Sequence, residues 1–206
     1  LNPIAQFRQE TTIEAVLQSR VVSDPLTLFM CSSIGDGAAA IVLTSETFAN
    51  KLDTPNIRVQ ASVVVTAKTH GDRELVAVTA ANKAYEMAGL GPRDLSVVEL
   101  HDATAPAELF HYENLGLYNP RDAVALIRSG DTAVGGRIPV NPSGGLMSRG
   151  HPIGATGAAQ IIELVQQLRG TAGARQTEGA KVALAENNGG QLAGDSAIAV
   201  VTILSI

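Results

Sequence analysis

Residues 141–157 read NPSGGLMSRGHPIGATG, and this Gly-rich stretch precedes an apolar helix predicted over 155–168 that Gly170 stops. Glycines let a backbone approach a ligand closely. His151 lies at the N-terminus of the helix, where the dipole disfavours the imidazolium. A neutral imidazole can accept a proton, so the pattern fits a general base. It fits as well a Gly-rich loop whose His merely caps a helix.

Working outward, residues 99–106 read ELHDATAP and follow a short apolar strand predicted over 95–100. Open α/β sheets bind ligands at the carboxyl ends of their strands, which makes His101 a candidate site residue. The alternative is a surface turn in which Asp102 or Thr104 caps the next helix, predicted over 106–115. We expect that capping in either case, and it leaves a role for His101 open.

Residues 185–190 read AENNGG and follow a strand predicted over 181–185. The backbone N–H groups of Gly189 and Gly190 could face an oxyanion. The same letters also describe an ordinary hairpin turn.

Cys31 is the one cysteine and has no adjacent His, Lys or Arg that would lower its pKa. A buried structural thiol is therefore the prediction. The neighbouring residues 35–37 (GDG) are too short for a phosphate-binding fingerprint.

The other polar aromatic and imidazole side chains give weaker signals. His70 and His111 lack partners at metal-ligand spacing, so we predict no metal site and place both on the surface. Tyr112 and Tyr118 could serve as acid–base groups or as amphipathic cover on a helix, and the sequence leaves both open.

Composition limits the class of protein. The 206 residues carry 15 Lys+Arg against 20 Asp+Glu, a net charge of −5, which argues against a nucleic-acid partner. Hydrophobic residues are 45% and aromatic residues 3%, so we predict an ordered chain with a core of Ala, Val, Ile and Leu. A single Cys excludes an internal disulfide framework and a Cys-based zinc site.

Neither a membrane span nor a signal-peptide pattern is present in the sequence, and we expect a reducing, cytoplasmic compartment. The chain opens on Leu1, which we interpret as a sign of a longer polypeptide.

Strand and helix signals alternate along the chain. Further predicted elements are a helix capped by Thr12, a break at Asp24-Pro25, a buried strand over 38–43, a turn and domain boundary over 51–56, a strand over 57–66, a helix over 74–88 ended by Gly89, a helix over 122–128 and a strand over 196–204. The order predicts an α/β fold in which helices cover both faces of a mixed sheet.

Three of these stretches together resemble one family. Residues 150–157 (GHPIGATG) resemble the His-bearing loop of the thiolase superfamily, and residues 101–104 (HDAT) resemble the His-Asp-Cys-Phe motif of its sterol-carrier-protein type. Residues 186–190 occupy the place of the C-terminal Gly-rich catalytic loop. Residues 36–40 (DGAAA) resemble the last strand of the first thiolase half, and residues 2–20 the end of the loop domain.

The resemblance covers essentially the whole chain and roughly the second half of a family member. It implies a layered αβαβα fold built from two similar halves, usually a dimer or tetramer. Residues 1–52 would end the loop domain and the first half, and residues 53–206 would form the complete second half. The acyl-carrying Cys of the family would lie upstream of Leu1, with Cys31 in the closing strand of the first half. This chain alone is therefore expected to be inactive.

The resemblance also implies roles for single residues. His151 matches the base that activates the nucleophilic Cys, and His101 matches the residue that binds the oxygen of the second acyl group. Gly189 or Gly190 would complete an oxyanion hole. Three loop residues match the surface against which the arm of CoA lies: Ser143, Gly144 and Gly145. Acyl-CoA would be the substrate, with no cofactor beyond CoA as its carrier.

One departure from the family bears on the reaction. Condensing thiolases use a second Cys as acid/base, but the matching places here hold Ala103 and the pair Glu186-Asn187. Glu186 could take the proton instead, since burial can raise the pKa of a carboxyl. Alternatively the reaction could be retro-aldol cleavage of a β-hydroxyacyl-CoA, for instance of a steroid side chain, with a small OB-fold acyl-CoA-binding partner. A third alternative is a non-catalytic subunit that binds acyl-CoA or lipid.

Overall fold

A computed structural model describes residues 1–69, 74–118 and 123–206. The strands are β1 (Val21–Ser23), β2 (Leu26–Thr27), β3 (Arg58–Thr66), β4 (Val97–Glu99), β5 (Val182–Gly189) and β6 (Ile198–Ser205). The α-helices are α1 (Ile13–Gln18), α2 (Glu46–Ala49), α3 (Val76–Ala88), α4 (Ala105–Asn114), α5 (Ala123–Ser129), α6 (Gly145–Arg149) and α7 (Ile153–Leu168).

The main sheet has the strand order β3-β6-β5-β4, with β4 parallel to β5 and the other pairs antiparallel. Residues 139–141 extend it beyond β4. Val98 donates to the carbonyl of Pro139, and Asn141 donates to the carbonyl of Val98, in a short parallel pairing. This extension brings the start of the Gly-rich stretch beside the end of β4.

Helices cover both faces of this sheet, as the sequence predicts. The helix α3 packs on β3 and β6 through small side chains, among them the fully enclosed Ala80 and Ala84, which permit close approach of helix and sheet. The helix α7 packs on β4 and β5 from the other face, where Leu164 and Leu168 meet Val97. The predicted mixed α/β architecture is confirmed, and buried Ala, Val, Ile and Leu form most of its core.

Most predicted elements are present with shifted ends. Thr12 caps α1 by accepting the N–H of Ala15, α3 ends at Gly89 with φ 64°, and α4 carries Pro106 in its first turn. The predicted helix over 122–128 begins at Ala123 in the structure. Its predicted first residue, Asp122, lies outside the described residues.

The predicted buried strand over 38–43 is wrong. These residues form no strand, and Ile41, Val42 and Leu43 are exposed. A strand needs a neighbour for its backbone hydrogen bonds. No described segment of the chain pairs with these residues, so their apolar character does not produce a strand.

The first residues of the chain contact the Gly-rich stretch. The side-chain amide of Asn2 donates to the carbonyl of Ser143 at 2.9 Å. Gln6 and Phe7 donate backbone hydrogen bonds to Arg149 and Ser148. The N-terminal segment therefore packs against the outer side of α6. No helix within residues 1–69, 74–118 and 123–206 is both long and apolar enough to cross a membrane.

Candidate active site

His101 and His151 meet although fifty residues separate them in the chain. Their ring centroids are 5.1 Å apart, and the ring planes stand at 86° to one another. The carboxyl end of β4 supplies His101, and the residues before α7 supply His151. At this distance both imidazoles can contact one small ligand.

The hydrogen bonds of His151 fix its tautomer. Thr156 Oγ1 lies 2.8 Å from His151 Nδ1 and 3.1 Å from the carbonyl oxygen of Pro152. A carbonyl can only accept, so the hydroxyl proton goes to Pro152 and Nδ1 must donate to Oγ1. Nε2 of a neutral His151 is then the free basic nitrogen. Desolvation, followed by the positive charge of Arg149, lowers the pKa of His151, so the ring is neutral at pH 7.

His101 is also neutral at pH 7. Burial, followed by the influence of the nearby His151 and His111, lowers the pKa of its imidazole to about 4. Its Nδ1 is buried and has no hydrogen-bond partner among the described residues. A neutral imidazole presents one N–H donor and one acceptor, which suits it to bind an oxygen as well as a proton.

Asp102 holds the loop that carries His151. Its carboxylate accepts the N–H of Leu146 at 2.7 Å and that of Met147 at 3.4 Å, and thereby satisfies free donors at the start of α6. Gly145 has φ 59°, and a Cβ there would lie 2.1 Å from Asp102 Oδ2. The predicted capping of the next helix is thus wrong, since Asp102 caps α6 and Thr104 makes no side-chain cap on α4. The two backbone N–H groups at the start of α6 satisfy this buried carboxyl in place of a local cap.

Glu99, the last residue of β4, is a second carboxyl group that binds this loop, and the sequence did not single it out. It is fully buried and accepts the N–H of Ser143 at 3.0 Å and its hydroxyl at 2.7 Å, with Arg149 Nη1 at 3.4 Å. Burial raises the pKa of Glu99 to about 7, against the opposing effects of Arg149 and Ser143. Ser143 therefore fixes the loop from the inside, because its backbone N–H and its hydroxyl both donate to the buried Glu99.

Glu186 lies behind His101. Its side chain is fully buried on β5, and Oε2 accepts the backbone N–H of His101 at 3.0 Å. Burial raises the pKa of Glu186, while the charge of His111 and the hydrogen bond from His101 lower it. Its other oxygen, Oε1, has no partner among the described residues.

Gln160 ties α7 to β5 at this point. The side chain is fully buried, donates to the carbonyl of Glu186 at 3.0 Å, and accepts from Asn187 Nδ2 at 3.0 Å. The helix that follows His151 is therefore fixed against the strand that carries Glu186.

Comparisons with known proteins identify the family of the chain. A family model described as thiolase C-terminal domain-like matches residues 62–205. The chain belongs to this family. Sterol carrier protein 2 of Rattus norvegicus is 44% identical over 199 residues, which are 91% of this chain and 36% of that protein. An acetyl-CoA acetyltransferase of Methanothermobacter thermautotrophicus is 44% identical over 195 residues, or 92% of this chain and 51% of that protein. This thiolase-family chain thus spans between about a third and a half of the length of these relatives.

The fold has a counterpart among solved structures. The structure of an Ltp2-ChsH2(DUF35) aldolase superposes with a TM-score of 0.79 over 98% of this chain and 53% of its own, at 23% sequence identity. That likeness shows the fold. The resemblance to the second thiolase half, predicted from three short motifs, is confirmed by the family match.

The predicted strand over 181–185, followed by a Gly-rich loop over 186–190, differs from the observed β5. Residues 186–189 continue the strand instead of forming a loop after it, and Gly189 pairs with Ile198 of β6. The predicted strand end at 185 is wrong because the β6 ladder satisfies four more residues. Gly190 follows the strand with φ 62° and is exposed. In the 141–157 loop, Gly144 is half-buried with φ 97°, whereas Ser143 and Gly145 are buried.

His111 is not a surface residue, contrary to the prediction. It lies on the inner side of α4, is 7% exposed, and faces Glu186 and Asn188. Spacing alone could not find it, because its partners lie on β5. His70, which received the same prediction, lies outside the described residues. The neighbouring Tyr112 is fully buried and donates to Glu108, so it belongs to the core, and Tyr118 packs against that core.

Cys31 is half-buried and follows a short 3-10 helix over residues 28–30. It forms an isolated antiparallel bridge with Thr104, and Ser32 donates to the carbonyl of Ala103. The resemblance places Cys31 in the closing strand of the first thiolase half, but its pairing with Thr104 is a single isolated bridge and no strand forms at this residue. Its segment instead packs beside the residues that follow His101.

Proposed function

We propose that the whole protein makes or cleaves a C–C bond next to a CoA thioester, as a thiolase-like acyltransferase. The observation that carries the proposal is the edge-to-face approach of His101 and His151 at 5.1 Å. Two neutral imidazoles at this distance can bind one oxygen and move one proton in the same small space. The family membership supports the same class of chemistry.

His151 is proposed as the base that activates a nucleophilic thiol. Because Nδ1 donates to Thr156, Nε2 is the nitrogen that takes the proton. His101 is proposed as the group that binds the thioester oxygen through its ring N–H. Negative charge on that oxygen in the transition state would strengthen this hydrogen bond, which is how such a donor lowers the barrier.

Glu186 is proposed as the acid/base at the α-carbon, in the place where condensing relatives would have a Cys. A carboxyl with a raised pKa and an unpartnered oxygen can receive a proton near neutral pH. The side chain is fully buried. The role therefore requires that binding of the acyl group opens a path to Oε1.

The glycine-rich segments are proposed to hold the rest of the substrate. Gly144 would face the arm of CoA, while the buried Ser143 and Gly145 shape the loop behind it. The backbone N–H of Gly189 or Gly190 would complete the second oxyanion hole. The proposed assembly is a homodimer or tetramer.

The test is thiolysis of acetoacetyl-CoA by CoA in the whole protein, followed as formation of acetyl-CoA. Replacement His151→Ala should lower the rate by at least about a hundredfold, the range for loss of a general base. The matched control Glu113→Ala changes an exposed side chain on α4 and should leave the rate unchanged. Near-normal thiolysis by His151→Ala would overturn the assignment of the base.

A second candidate is retro-aldol cleavage of a β-hydroxyacyl-CoA, and Ala103 and Asn187 favour it because they stand where condensing relatives have a Cys. A base takes the β-hydroxyl proton, the Cα–Cβ bond breaks, and its electron pair becomes the thioester enolate that His101 holds. Protonation at Cα then yields the shortened acyl-CoA beside a free carbonyl compound. The aldolase that shares this fold carries a DUF35 protein in its name, and for this chain we propose a small OB-fold acyl-CoA-binding partner.

The two candidates separate in one pair of assays. Thiolysis consumes CoA and a β-ketoacyl-CoA, whereas retro-aldol cleavage needs only the β-hydroxyacyl-CoA and releases a carbonyl compound. Saturable binding of both acyl-CoA compounds without turnover of either would favour the non-catalytic binding subunit instead.

A further inference from the structure

Four buried polar atoms without a partner among the described residues belong to one cluster: His101 Nδ1, His111 Nδ1, Glu186 Oε1 and Asn188 Oδ1. Unsatisfied buried polar atoms are costly, so a native fold keeps few of them and gathers them where they have a use. The member that no motif explains is His111, which the helix α4 carries into the cluster.

Two residues of β5 face the His111 ring. Its Nδ1 lies 3.7 Å from Glu186 Oε2, and its Nε2 lies 3.3 Å from Asn188 Nδ2. Residues 186 and 188 point to the same side of the strand, since side chains alternate. One imidazole thus spans the carboxyl and the amide along this side of β5.

The amide of Asn188 suits both protonation states of the ring. When Nδ2 donates to Nε2, the neutral ring carries its proton on Nδ1 and presents it to Glu186. A turn of the amide brings Oδ1, which has no partner among the described residues, to accept from Nε2–H of the imidazolium. In both states Nδ1–H faces the carboxylate.

The charges around the pair come from few groups. Glu186 meets His111 from α4 and the backbone N–H of His101 from the end of β4, while the neutral Gln160 of α7 donates to its carbonyl. His111 and His101 also influence one another, because a charge on His111 disfavours a charge on His101. A positive charge at this position favours the ionised form of the Glu186 carboxyl.

We infer that His111 is a positioning residue for Glu186: its Nδ1 side faces the buried carboxyl and holds it against the His101 backbone N–H. The contacts between His111 and Glu186 do not depend on the proposed function. The part of Glu186 in the reaction does rest on that function. This account gives His111 no contact with the substrate, because its ring faces Glu186 and Asn188.

The first experiment titrates the Glu186 carboxyl by NMR in ¹³C-glutamate-labelled protein, with Glu186→Gln to assign the signal. Replacement His111→Gln keeps a hydrogen-bonding side chain and removes the charge. It should move the titration midpoint of Glu186 upward by about one to three pH units, the effect of losing an opposite charge at this distance. The matched control Glu113→Gln, on the exposed side of α4, should leave the midpoint in place. An unchanged midpoint in folded His111→Gln would overturn the inference.

A measurement on the unsubstituted protein covers the case in which His111→Gln does not fold. The ¹⁵N signals of the His111 ring should show Nδ1 protonated throughout the pH range, in the neutral ring and in the imidazolium. A neutral ring protonated at Nε2 would overturn the inference, since Nδ1 would then face the carboxylate without a proton.

Activity supplies the third readout. The acidic limb of the pH–rate profile should move upward with the carboxyl midpoint in His111→Gln, so that the rate falls at pH 7 and recovers at higher pH. An equal loss at every pH would indicate a merely structural role and contradict the inference. If the unsubstituted protein cleaves neither acyl-CoA substrate, the proposed function fails, while the two NMR measurements still decide on His111.

Discussion

The edge of the His101 ring meets the His151 ring with 5.1 Å between centroids, and each imidazole is held by a different layer of the fold. Two carboxyl groups flank His101 in the chain, Glu99 at the end of β4 and Asp102 directly after His101, and both bind the loop that leads to His151. The pair is therefore not two independent side chains that happen to touch. The two buried carboxyl groups fix the loop, and Thr156 fixes the ring of His151.

The first prediction concerns the tautomer of His151. Replacement Thr156→Val removes the oxygen that accepts from Nδ1 and keeps the shape of the side chain. The ring then loses its preference for Nδ1–H, and the rate should fall about three- to tenfold, which corresponds to about 1 kcal/mol for one hydrogen bond. The ¹⁵N signals of His151 should show a mixture of tautomers. A ring that stays protonated at Nδ1 alone would contradict this account of the base.

The second prediction concerns Gly145. A methyl group there would lie 2.1 Å from the Asp102 carboxylate, on a residue with φ 59°. Gly145→Ala should therefore lower the free energy of unfolding by about 2 kcal/mol or more, since it strains the backbone and displaces the cap of α6. The measurement is urea unfolding followed by circular dichroism.

Gly154→Ala is the matched control for that substitution. Gly154 lies in the first turn of α7, and a Cβ added to it would meet no atom within 4 Å. Alanine there should be neutral or stabilise by up to about 1 kcal/mol, as expected for a helical glycine. Equal losses in both variants would show that the Asp102 carboxylate does not set the requirement at Gly145.

The third prediction concerns pH and Glu99. Because burial raises the pKa of Glu99 to about 7, the folded state binds its proton more strongly than the unfolded state does. The stability that this proton contributes is complete below the ordinary pKa of a Glu and is lost as the pH rises through about 7. The unfolding free energy of the protein, relative to Glu99→Gln, should thus fall by roughly 1 to 3 kcal/mol between pH 5 and pH 8.

Comparison with a variant removes the effect of the histidines, whose lowered pKa values act in the opposite direction over part of the same range. The control is Glu113→Gln, an exposed carboxyl on α4. The difference in unfolding free energy between this control and the unsubstituted protein should not depend on pH. A Glu99→Gln difference as flat as that of the control would contradict a buried proton on Glu99.

The fourth prediction concerns Cys31. Thiolysis needs a thiolate to carry the acyl group. The side chain of Cys31 is half-buried, and its backbone pairs with that of Thr104. Cys31→Ser should leave the rate of the whole protein within about twofold, and mass spectrometry after incubation with acetoacetyl-CoA should find no acyl group on Cys31. The 206-residue chain by itself should form no acetyl-CoA above blank. An acylated Cys31 that turns over would make it the nucleophile and overturn this placement.

Local signals in the sequence were sufficient for those parts of the fold that local chemistry determines. A few neighbouring residues are enough to predict the end of α3 at Gly89 and the Thr12 cap of α1. The same holds for the apolar runs of β3 and β6. The prediction of a strand over 38–43 was wrong because a strand also needs a partner strand, and its own residues do not reveal whether one is present.

The site divides in the same way. His101 and His151 were found because each follows a recognisable motif at an element end. Glu99, Gln160 and His111 were missed, because each acts through a partner that lies between 26 and 77 residues away in the chain. What marks these three residues in the structure is that each polar side chain is buried. The local sequence does not reveal that burial. For His111 in particular, the partners that bury it belong to β5 and not to its own helix.

The measurement that tests the central claim most directly is a titration of ¹⁵N-histidine-labelled protein with acetoacetyl-CoA. If His101 and His151 form one thioester site, the ring signals of both should shift together along one saturation curve, with the same dissociation constant. His151 Nδ1 should remain protonated throughout, while its Nε2 signal changes. Shifts confined to one of the two rings, or two different dissociation constants, would contradict a shared site.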